Sequence, residues 1–527
     1  MTTLTDARLE LLRRRLAAAG VAANRSPAPE ATPAPELPDG ALRTAERRMW
    51  KIYELDPNSV SHNIGLILDF EGGYTLDGVI ASFETMVRNG GVLGSVVATE
   101  DGVPRRVPAR VDGRWVEPGA VWEWGTVPER AGTRREGNGA TETRRGDAAA
   151  GTDQANEESA PAQREVQTLA APGHGASERR RDEIAAVAEV LTRTPFDLTV
   201  EPPLRARIYA GAGERVTLVL VVHHLAVDDT SWPLLLGTLT TGAWPAETDR
   251  PNRSNAPVTT DEVERALRHA QDTWAAEGIR FPLSGELPAI SAAESWLSPM
   301  DESPGARFER PLERAAVAAL EGVAREVGST SNALLIAICA VTVYALTDAA
   351  DHVLLVPADN RRQGESPDTV GYSGNIVPMR FAFAPDATVR AALRDAVSVV
   401  YRSMEFTGVD YGTVLTALRA AGGRFPVAEI MASVRNAPLR GIPIPDGRRV
   451  DCASVFHGVG NYPLTLAFEL GADDGVHLEV DHQPEAVDAA RAHRAAAMAT
   501  ALVARIPGAL DRPLAELVGA VRESETG

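Results

Sequence analysis

Apolar residues recur along the chain with two different spacings, and these separate helices from strands. Spacings of three and four residues predict amphipathic helices, at residues 4–20, 41–54, 76–88, 260–277, 312–327, 332–346, 388–405, 411–421 and 488–505, with another starting near Pro233. Short runs rich in β-branched residues predict strands, at residues 63–70, 216–227, 352–357, 375–383, 428–436, 463–470 and 475–482. The mixture of the two kinds of element predicts an α/β (α+β) fold.

Two segments interrupt this pattern and divide the chain. Residues 24–39 are rich in proline and alanine, as linkers are, so residues 1–39 are predicted to form a small helix on a tether. Residues 126–182 have almost no large apolar side chains, so burial cannot offset the entropy of ordering them, and a disordered insertion is predicted. The rest is assigned to an N-terminal lobe at 40–250 and a C-terminal lobe at 251–527.

Charge and composition exclude several classes of function. The 527 residues carry a formal net charge of −19, which repels the phosphates of nucleic acids and of anionic lipid surfaces. Two cysteines, Cys339 and Cys452, are too few for a disulfide framework or a metal site. The sequence shows neither a signal peptide nor a clean apolar span, so we expect a cytoplasmic protein that binds neither nucleic acid nor membrane.

The segment HHLAVDD, residues 223–229, carries the strongest chemical signal because it directly follows an apolar run. Adjacent side chains on a strand point to opposite faces, so His223 and His224 have different surroundings and one can face a cleft. A neutral imidazole in that position is suited to general-base catalysis near pH 7. Asp228 can hold the turn that fixes the His224 backbone. The alternative is that both histidines only fill the core.

Six further segments share their order with a known family. They are LRTAERRMWKIYELDPNSVSHNI (42–64), TPFDLTVEPPLRARI (194–208), DHVLLVPADNRR (351–362), VGYSGNIVPMR (370–380), MASVRNAP (431–438) and YPLTLAFEL (462–470). Together with HHLAVDD they resemble the condensation domain family of nonribosomal peptide synthetases, whose signature is HHxxxDG. The resemblance covers nearly all of residues 40–520, and the last segment is similar to the strand that crosses between the family's lobes.

This resemblance implies a fold and a site. The fold is that of chloramphenicol acetyltransferase-like enzymes, in which two lobes form a V around a central tunnel. His224, His223 and Asp228 form the implied catalytic motif, and His224 acts on the attacking amine or hydroxyl as a base or as a hydrogen-bonding positioner. Asp228 is implied to be structural, with Arg361 as its partner. Asn375 matches the asparagine of the family's Gly-x-Phe-x-Asn motif.

Three positions depart from the family. Asp229 replaces the glycine of HHxxxDG and adds bulk and charge near the tunnel. A second aspartate at this position resembles the X domains of glycopeptide synthetases, which recruit partner enzymes. Those domains usually lose the second histidine, which this chain keeps. RNGGVLGSVV (88–97) lacks the His, the Glu and the second Arg of the family's Arg-His-Glu-x-Leu-Arg segment, a departure that weakens a structural brace and with it the expected activity. Ser231-Trp232 resembles epimerization domains, although their Glu-Gly-His-Gly-Arg motif is missing.

We therefore expect a free-standing condensation enzyme of peptide natural-product biosynthesis, which joins a carrier-bound acyl or aminoacyl thioester to an amine or hydroxyl. No bound cofactor is implied, because the thioester is already activated and arrives on the phosphopantetheine of a separate donor carrier protein. The acceptor is carried by a second carrier protein or is a free amine or alcohol. We expect a monomer. Two alternatives stay open: a degenerate domain that recruits a partner, and an acyltransferase of the same fold that uses acyl-CoA.

Overall fold

A computed structural model of the protein describes residues 40–109, 111–116, 121–126, 174–211, 215–245, 258–273, 283, 303–360, 370–420 and 429–524. The predicted helix and linker at 1–39 lie outside these ranges, as does most of the predicted insertion. A helix beginning at His174 already occupies the last part of the segment 126–182.

The strands, in chain order, are β1 (Asn63–Glu71), β2 (Ser95–Glu100), β3 (Val103–Pro108), β4 (Val111–Val116), β5 (Val121–Thr126), β6 (Leu204–Ala210), β7 (Val216–His223), β8 (Ser303–Pro304), β9 (Ala306–Pro311), β10 (Asp351–Asp359), β11 (Gly374–Ala382), β12 (Ile430–Asn436), β13 (Arg449–Val455), β14 (Val459–Gly460), β15 (Leu464–Leu470) and β16 (Val476–His482). They form two six-stranded sheets and two short pairs. The first sheet has the order β13-β1-β7-β6-β5-β4, and the second has the order β11-β10-β12-β15-β16-β9.

The helices, in chain order, are α1 (Thr44–Leu55), α2 (Leu76–Asn89), α3 (His174–Thr192), α4 (Trp232–Thr241), α5 (Thr260–Thr273), α6 (Arg314–Val327), α7 (Ser331–Thr347), α8 (Val389–Met404), α9 (Tyr411–Ala420), α10 (Ala489–Arg505) and α11 (Leu514–Glu523). Several begin where a short polar side chain accepts a hydrogen bond from the first turn, which supplies a partner for an otherwise unpaired backbone N–H. These N-caps are Thr75, Thr330, Thr388 and Asp488.

Each sheet has its own apolar core. On the first sheet, alternate residues of β1 such as Leu68 and Phe70 are fully buried and pack with Phe83 and Met86 of α2. On the second sheet, α7 is apolar on all sides and lies inside the largest cluster, between the sheet and its neighbouring helices. Full burial of such side chains stabilises the fold by about 1.5–3 kcal/mol each.

The histidine-bearing strand β7 lies in the interior of the first sheet, between β1 and β6. All eight of its residues are buried, which explains why its sequence is a continuous apolar run instead of an alternating one. The predicted strand at 216–227 ends early, because a 3₁₀ turn begins at His224. That turn brings the motif residues out of the sheet plane.

One predicted detail of the topology is wrong. The resemblance implies that the segment 462–470 crosses between lobes, but β15 lies within the second sheet, between β12 and β16. The strand that crosses is β13, which leaves the second half of the chain and pairs antiparallel with β1, from Gly65↔Val455 to Glu71↔Arg449. The first sheet therefore includes a strand from the segment assigned to the C-terminal lobe.

Among the described residues, no single helix is both long and apolar enough to cross a membrane. The pair α6 and α7 meets that length and composition only when taken together, and the two helices are bent by 98° at their junction.

Candidate active site at the end of β7

His223 is a buried residue with its hydrogen bonding directed inwards. Its Nδ1 accepts a hydrogen bond from the backbone N–H of Leu225 at 3.1 Å. The rings of Tyr53 and Phe196 approach it edge-on, with centroids 6.2 Å and 5.9 Å away. Burial lowers the pKa of His223 well below its usual value, so the ring stays neutral. This environment is that of a core histidine which shapes the turn.

His224, the next residue, is only partly buried and has a defined tautomer. Its Nδ1 lies 2.6 Å from the carbonyl oxygen of Val227, and because a carbonyl only accepts, Nδ1 carries the proton. In the neutral ring, Nε2 then holds a free lone pair, and no described residue supplies it with a hydrogen-bond partner. The ring of Tyr372 packs edge-on against His224 at 5.0 Å. The arrangement leaves an oriented base with its accepting nitrogen available.

The carboxylate of Asp228 accepts hydrogen bonds from the turn after β7 and from a neighbouring loop. Its Oδ1 accepts hydrogen bonds from Thr230 Oγ1 at 2.9 Å and from the backbone N–H and hydroxyl of Ser231 at 3.1 Å and 2.9 Å. Its Oδ2 accepts the backbone N–H of Ser373 at 2.8 Å. Asp228 thereby ties the turn after β7 to the loop before β11, which belongs to the second sheet. Its expected partner Arg361 lies outside the described residues.

Asp229 differs from Asp228 in its solvent exposure and in its hydrogen bonding. It is exposed to solvent, and among the described residues it makes no hydrogen bond and no ion pair. Burial by the surrounding protein nevertheless raises the pKa of its carboxyl, which His224 and Arg435 oppose and Asp228 and Asp359 reinforce.

Asn375 serves as a brace. Its side-chain N–H groups donate to the carbonyls of Thr407 and Val409, both at 2.8 Å. Its Oδ1 accepts from Arg48 at 3.1 Å and from the backbone N–H of Tyr411 at 2.9 Å. All of its hydrogen-bonding groups on the side chain are therefore used within the fold, and it acts by holding β11 in place.

Arg48 of α1 was not singled out in the sequence, yet it joins the two halves of the chain beside the site. It forms an ion pair with Asp410 and donates to the Gly374 carbonyl at 2.7 Å and to the Tyr372 hydroxyl at 3.3 Å. Arg48 thus fixes the aromatic ring that packs on His224.

His62 is a second histidine at the site that sequence reasoning missed. Its carbonyl oxygen accepts the backbone N–H of His224 at 2.8 Å, and its Nδ1 lies 2.9 Å from Ser61 Oγ. Burial lowers the pKa of His62 to about 3, with smaller effects from His224 and His457. A signal was available, because His62 directly precedes β1, whose first residue Asn63 pairs with His223.

Trp232 begins α4 and is buried in the apolar core of the first sheet. Its position there is that of a packing residue behind the turn.

Arg106 of β3 braces the turn after β7. Arg106 of β3 donates to the Leu225 carbonyl at 3.1 Å and to Glu46 Oε1 at 3.2 Å. Glu46 is fully buried and also pairs with Arg43 at 3.0 Å. Although burial opposes it, the charges of Arg43 and Arg106 lower the pKa of Glu46. A guanidinium on a buried carboxylate therefore holds the turn that follows His224.

No cluster of three or more potential metal ligands occurs in the part of the chain that the structure describes.

Solved structures share this fold and define its class. The first condensation domain of the calcium-dependent antibiotic synthetase superposes with a TM-score of 0.65 at 16% identity, covering 92% of this chain and 99% of that one. The starter condensation domain of rhizomide synthetase RzmA, in complex with C8-CoA and Leu-SNAC, gives 0.64 at 14% identity, over 90% and 95%. The X-domain from teicoplanin biosynthesis gives 0.60 at 14%, over 93% and 99%. The fold is that of condensation-type domains.

The family follows from the sequence comparison. The family model named Condensation domain matches residues 151–519, and this chain belongs to that family. It is 25% identical over 346 residues to phosphinothricin tripeptide synthetase PhsB of Streptomyces viridochromogenes, covering 62% of this chain and 28% of PhsB. It is 24% identical over 267 residues to the beauvericin nonribosomal cyclodepsipeptide synthetase of Beauveria bassiana, covering 46% of this chain and 8% of that protein. The chain thus spans a minor part of these relatives. Domains of this family form amide or ester bonds in nonribosomal peptide synthetases and work with carrier protein domains.

Proposed function

We propose that this protein is a condensation enzyme that joins a carrier-bound acyl or aminoacyl thioester to an amine or hydroxyl acceptor. The observation that carries the proposal is the His224 ring, whose Nδ1–H is fixed on the Val227 carbonyl so that Nε2 is left to accept a proton. The proposal includes two lobes that form a V around a tunnel, with the turn after β7 at their junction.

His224 handles the proton in this reaction. The acceptor N–H or O–H donates to Nε2 while the acceptor atom attacks the thioester carbonyl, so a C–N or C–O bond forms as the C–S bond breaks. The proton then passes from the imidazolium to the departing thiolate. The thioester is already activated, so the protein contributes positioning and proton transfer, and we propose that it needs no bound cofactor.

The donor arrives on the phosphopantetheine of a carrier protein. The 527 residues contain no Gly-Gly-x-Ser attachment motif, so this carrier lies outside them. The net charge of −19 repels an acidic carrier at long range, which predicts weak association that tightens as salt screens the repulsion. We propose a monomeric enzyme that works in the cytoplasm, with the acceptor on a second carrier or free in solution.

The first test is intact-protein mass spectrometry of an acylated carrier protein encoded beside this one. The carrier is incubated with this protein and with a panel of amines and alcohols, and a parallel arm supplies the same acyl group on coenzyme A. We expect the carrier to lose its acyl group only when an acceptor is present, with a product mass that corresponds to an amide or an ester. Turnover from acyl-CoA alone would favour the CoA-dependent alternative.

His224→Ala is the decisive variant, and its loss of the lone pair should lower the rate by about 10²–10⁴-fold. The matched control is His493→Ala, because His493 is a solvent-exposed histidine on α10. A carrier that stays loaded with every acceptor would instead support the recruiting role of a degenerate domain. Equal rates for His224→Ala and the wild type would refute the proposed role of His224.

A further inference from the structure

The imidazole of His224 has two contacts that fix its orientation. One is the hydrogen bond from Nδ1 to the Val227 carbonyl at 2.6 Å. A single bond at one nitrogen still lets the ring tilt, which would swing Nε2 out of line with an acceptor. The second contact is the ring of Tyr372, whose centroid lies 5.0 Å from that of His224 with the two planes at 75°. This edge-to-face geometry is a favourable one for two aromatic rings.

The backbone on both sides of Tyr372 is bonded to the turn that carries His224. The N–H of the residue before it donates to Ser231 Oγ at 3.2 Å, and the N–H of the residue after it donates to Asp228 Oδ2 at 2.8 Å. Ser231 and Asp228 both follow His224 in the turn after β7. Tyr372 therefore has a fixed place relative to His224, although the two residues lie far apart along the chain.

The ring of Tyr372 is itself fixed by Arg48 and by a glycine. Arg48 Nη2 donates to the Tyr372 hydroxyl at 3.3 Å, and the guanidinium carbon lies 5.9 Å from the ring centroid. A Cβ added at Gly374 would lie 2.8 Å from a carbon of the same ring, so only glycine leaves room for it there. The protein alone therefore sets the position of the ring.

We propose that Tyr372 is a positioning residue of the condensation reaction, which holds the His224 ring so that Nε2 faces the acceptor. This inference rests on the proposed function and adds a residue to the same site. The hydroxyl of Tyr372 already accepts from Arg48, so the ring, and not the phenol oxygen, makes the contribution. A tilted base lowers the rate even when the substrates bind equally well, because proton transfer requires hydrogen-bond distance and alignment.

The kinetic test compares two substitutions of this residue in the carrier assay. Tyr372→Ala removes the ring, and we expect kcat to fall about tenfold or more, with little change in the KM of the acceptor. Tyr372→Phe keeps the ring and loses only the bond from Arg48, so it should retain most of kcat. Equal losses in the two variants would overturn the assignment, because the hydroxyl would then be the group that matters.

Tyr344→Ala is the matched control for the loss of a buried tyrosine. Tyr344 lies in the core of the second sheet, and the guanidinium carbon of Arg522 is also 5.9 Å from its ring centroid. We expect this variant to lose stability in urea unfolding and to keep its kcat, because it does not touch His224. An equal fall of kcat in Tyr344→Ala and Tyr372→Ala would assign the effect to general loosening of the fold and overturn the proposal.

A spectroscopic measurement without any substrate separates this inference from the proposed function. Protein labelled with ¹⁵N in its histidines reports which nitrogen of each ring carries the proton, and the signals missing from His224→Ala identify those of His224. In the wild type we expect a protonated Nδ1 that exchanges slowly with water. In Tyr372→Ala we expect about tenfold faster exchange of that proton. Unchanged exchange in this variant would overturn the assignment, whether or not condensation is observed.

Discussion

At the scale of single residues, the turn after β7 contains two pairs of identical neighbours, His223-His224 and Asp228-Asp229. In each pair the first residue is buried and the second reaches solvent. His223 accepts a hydrogen bond from the backbone of Leu225. Asp228 accepts hydrogen bonds from Ser231 and from the backbone of Ser373, so both residues stabilise the fold. His224 and Asp229 each keep a group with no described partner. The motif HHLAVDD marked all four residues, and the family resemblance implied that Asp228 is the structural carboxylate. The sequence could not name the Ser231 and Ser373 donors that bond it, because they come from two parts of the chain.

Buried histidines predict how stability depends on pH. Burial lowers the pKa of His352 from 6.5 to about 4, and those of His62 and His457 to about 3 and about 4. As pH falls below 6.5, the unfolded state binds a proton that the folded state refuses, so the free energy of unfolding decreases. Above 6.5 these groups are neutral in both states and contribute no slope.

His352→Gln should make this pH dependence shallower by about 1.4 kcal/mol per pH unit between pH 6.5 and 4.5, because one titrating group is removed. Urea unfolding at a series of pH values measures the slope, which is independent of any constant loss of stability caused by the substitution. His352 lies in β10, away from the site, so the condensation assay at pH 7.5 is the control. An unchanged slope would show that His352 takes up its proton over the same pH range in the folded and unfolded states.

At the scale of elements, sequence periodicity located most long helices and the central strands to within a few residues. Helix 332–346 is Ser331–Thr347, and strand 352–357 is Asp351–Asp359. The pairs β2–β3 and β4–β5 were missed because their strands are short and, in β2 and β3, largely accessible, so no apolar run marks them. β13 was missed for the same reason, since most of its side chains reach solvent.

The strand β3 contacts the turn after His224 through Arg106, so a substitution of Arg106 should affect both stability and activity. Arg106→Gln removes the bonds to the Leu225 carbonyl and to buried Glu46. We expect a loss of about 1–3 kcal/mol in the free energy of unfolding, because a buried carboxylate loses one of its cations. We also expect a lower kcat with little change in KM, because the turn after His224 is loosened.

Arg105→Gln is the matched control for that variant, because Arg105 is the preceding residue of the same strand and carries no such bonds. Urea unfolding and the carrier assay are applied to both proteins. Equal effects of the two substitutions would show that β3 needs positive charge in general and that the contact to the turn has no role of its own.

At the scale of the whole molecule, a small set of buried polar contacts joins the two sheets at the site. Arg48 and Asp410 form an ion pair of which 12% and 5% of the side-chain surfaces are exposed. Gly371 is equally constrained, since its φ of 143° favours glycine and an added Cβ would meet the Arg43 guanidinium at 1.7 Å. None of these contacts has a local sequence pattern, because their partners lie far apart along the chain.

Removing one partner of the Arg48–Asp410 pair should cost roughly 3–5 kcal/mol of stability, since the other charge stays buried without compensation. Urea unfolding of Asp410→Ala and Arg48→Met tests this. The double variant Arg48→Met/Asp410→Leu should lose much less than the sum of the single changes, because it leaves no unpaired charge. Additive losses would mean that the two side chains act independently.

The position of β13 has a consequence for the order in which the protein folds. During synthesis from the N-terminus, β1 can pair with β7 on one side as soon as both have been made. Its other side pairs with Arg449–Val455 and must remain an open edge until those residues, almost 380 positions further along the chain, have left the ribosome. Open strand edges invite pairing with other chains. We expect fragments that stop before residue 449 to aggregate, so the two halves should not be separable into independently folding pieces.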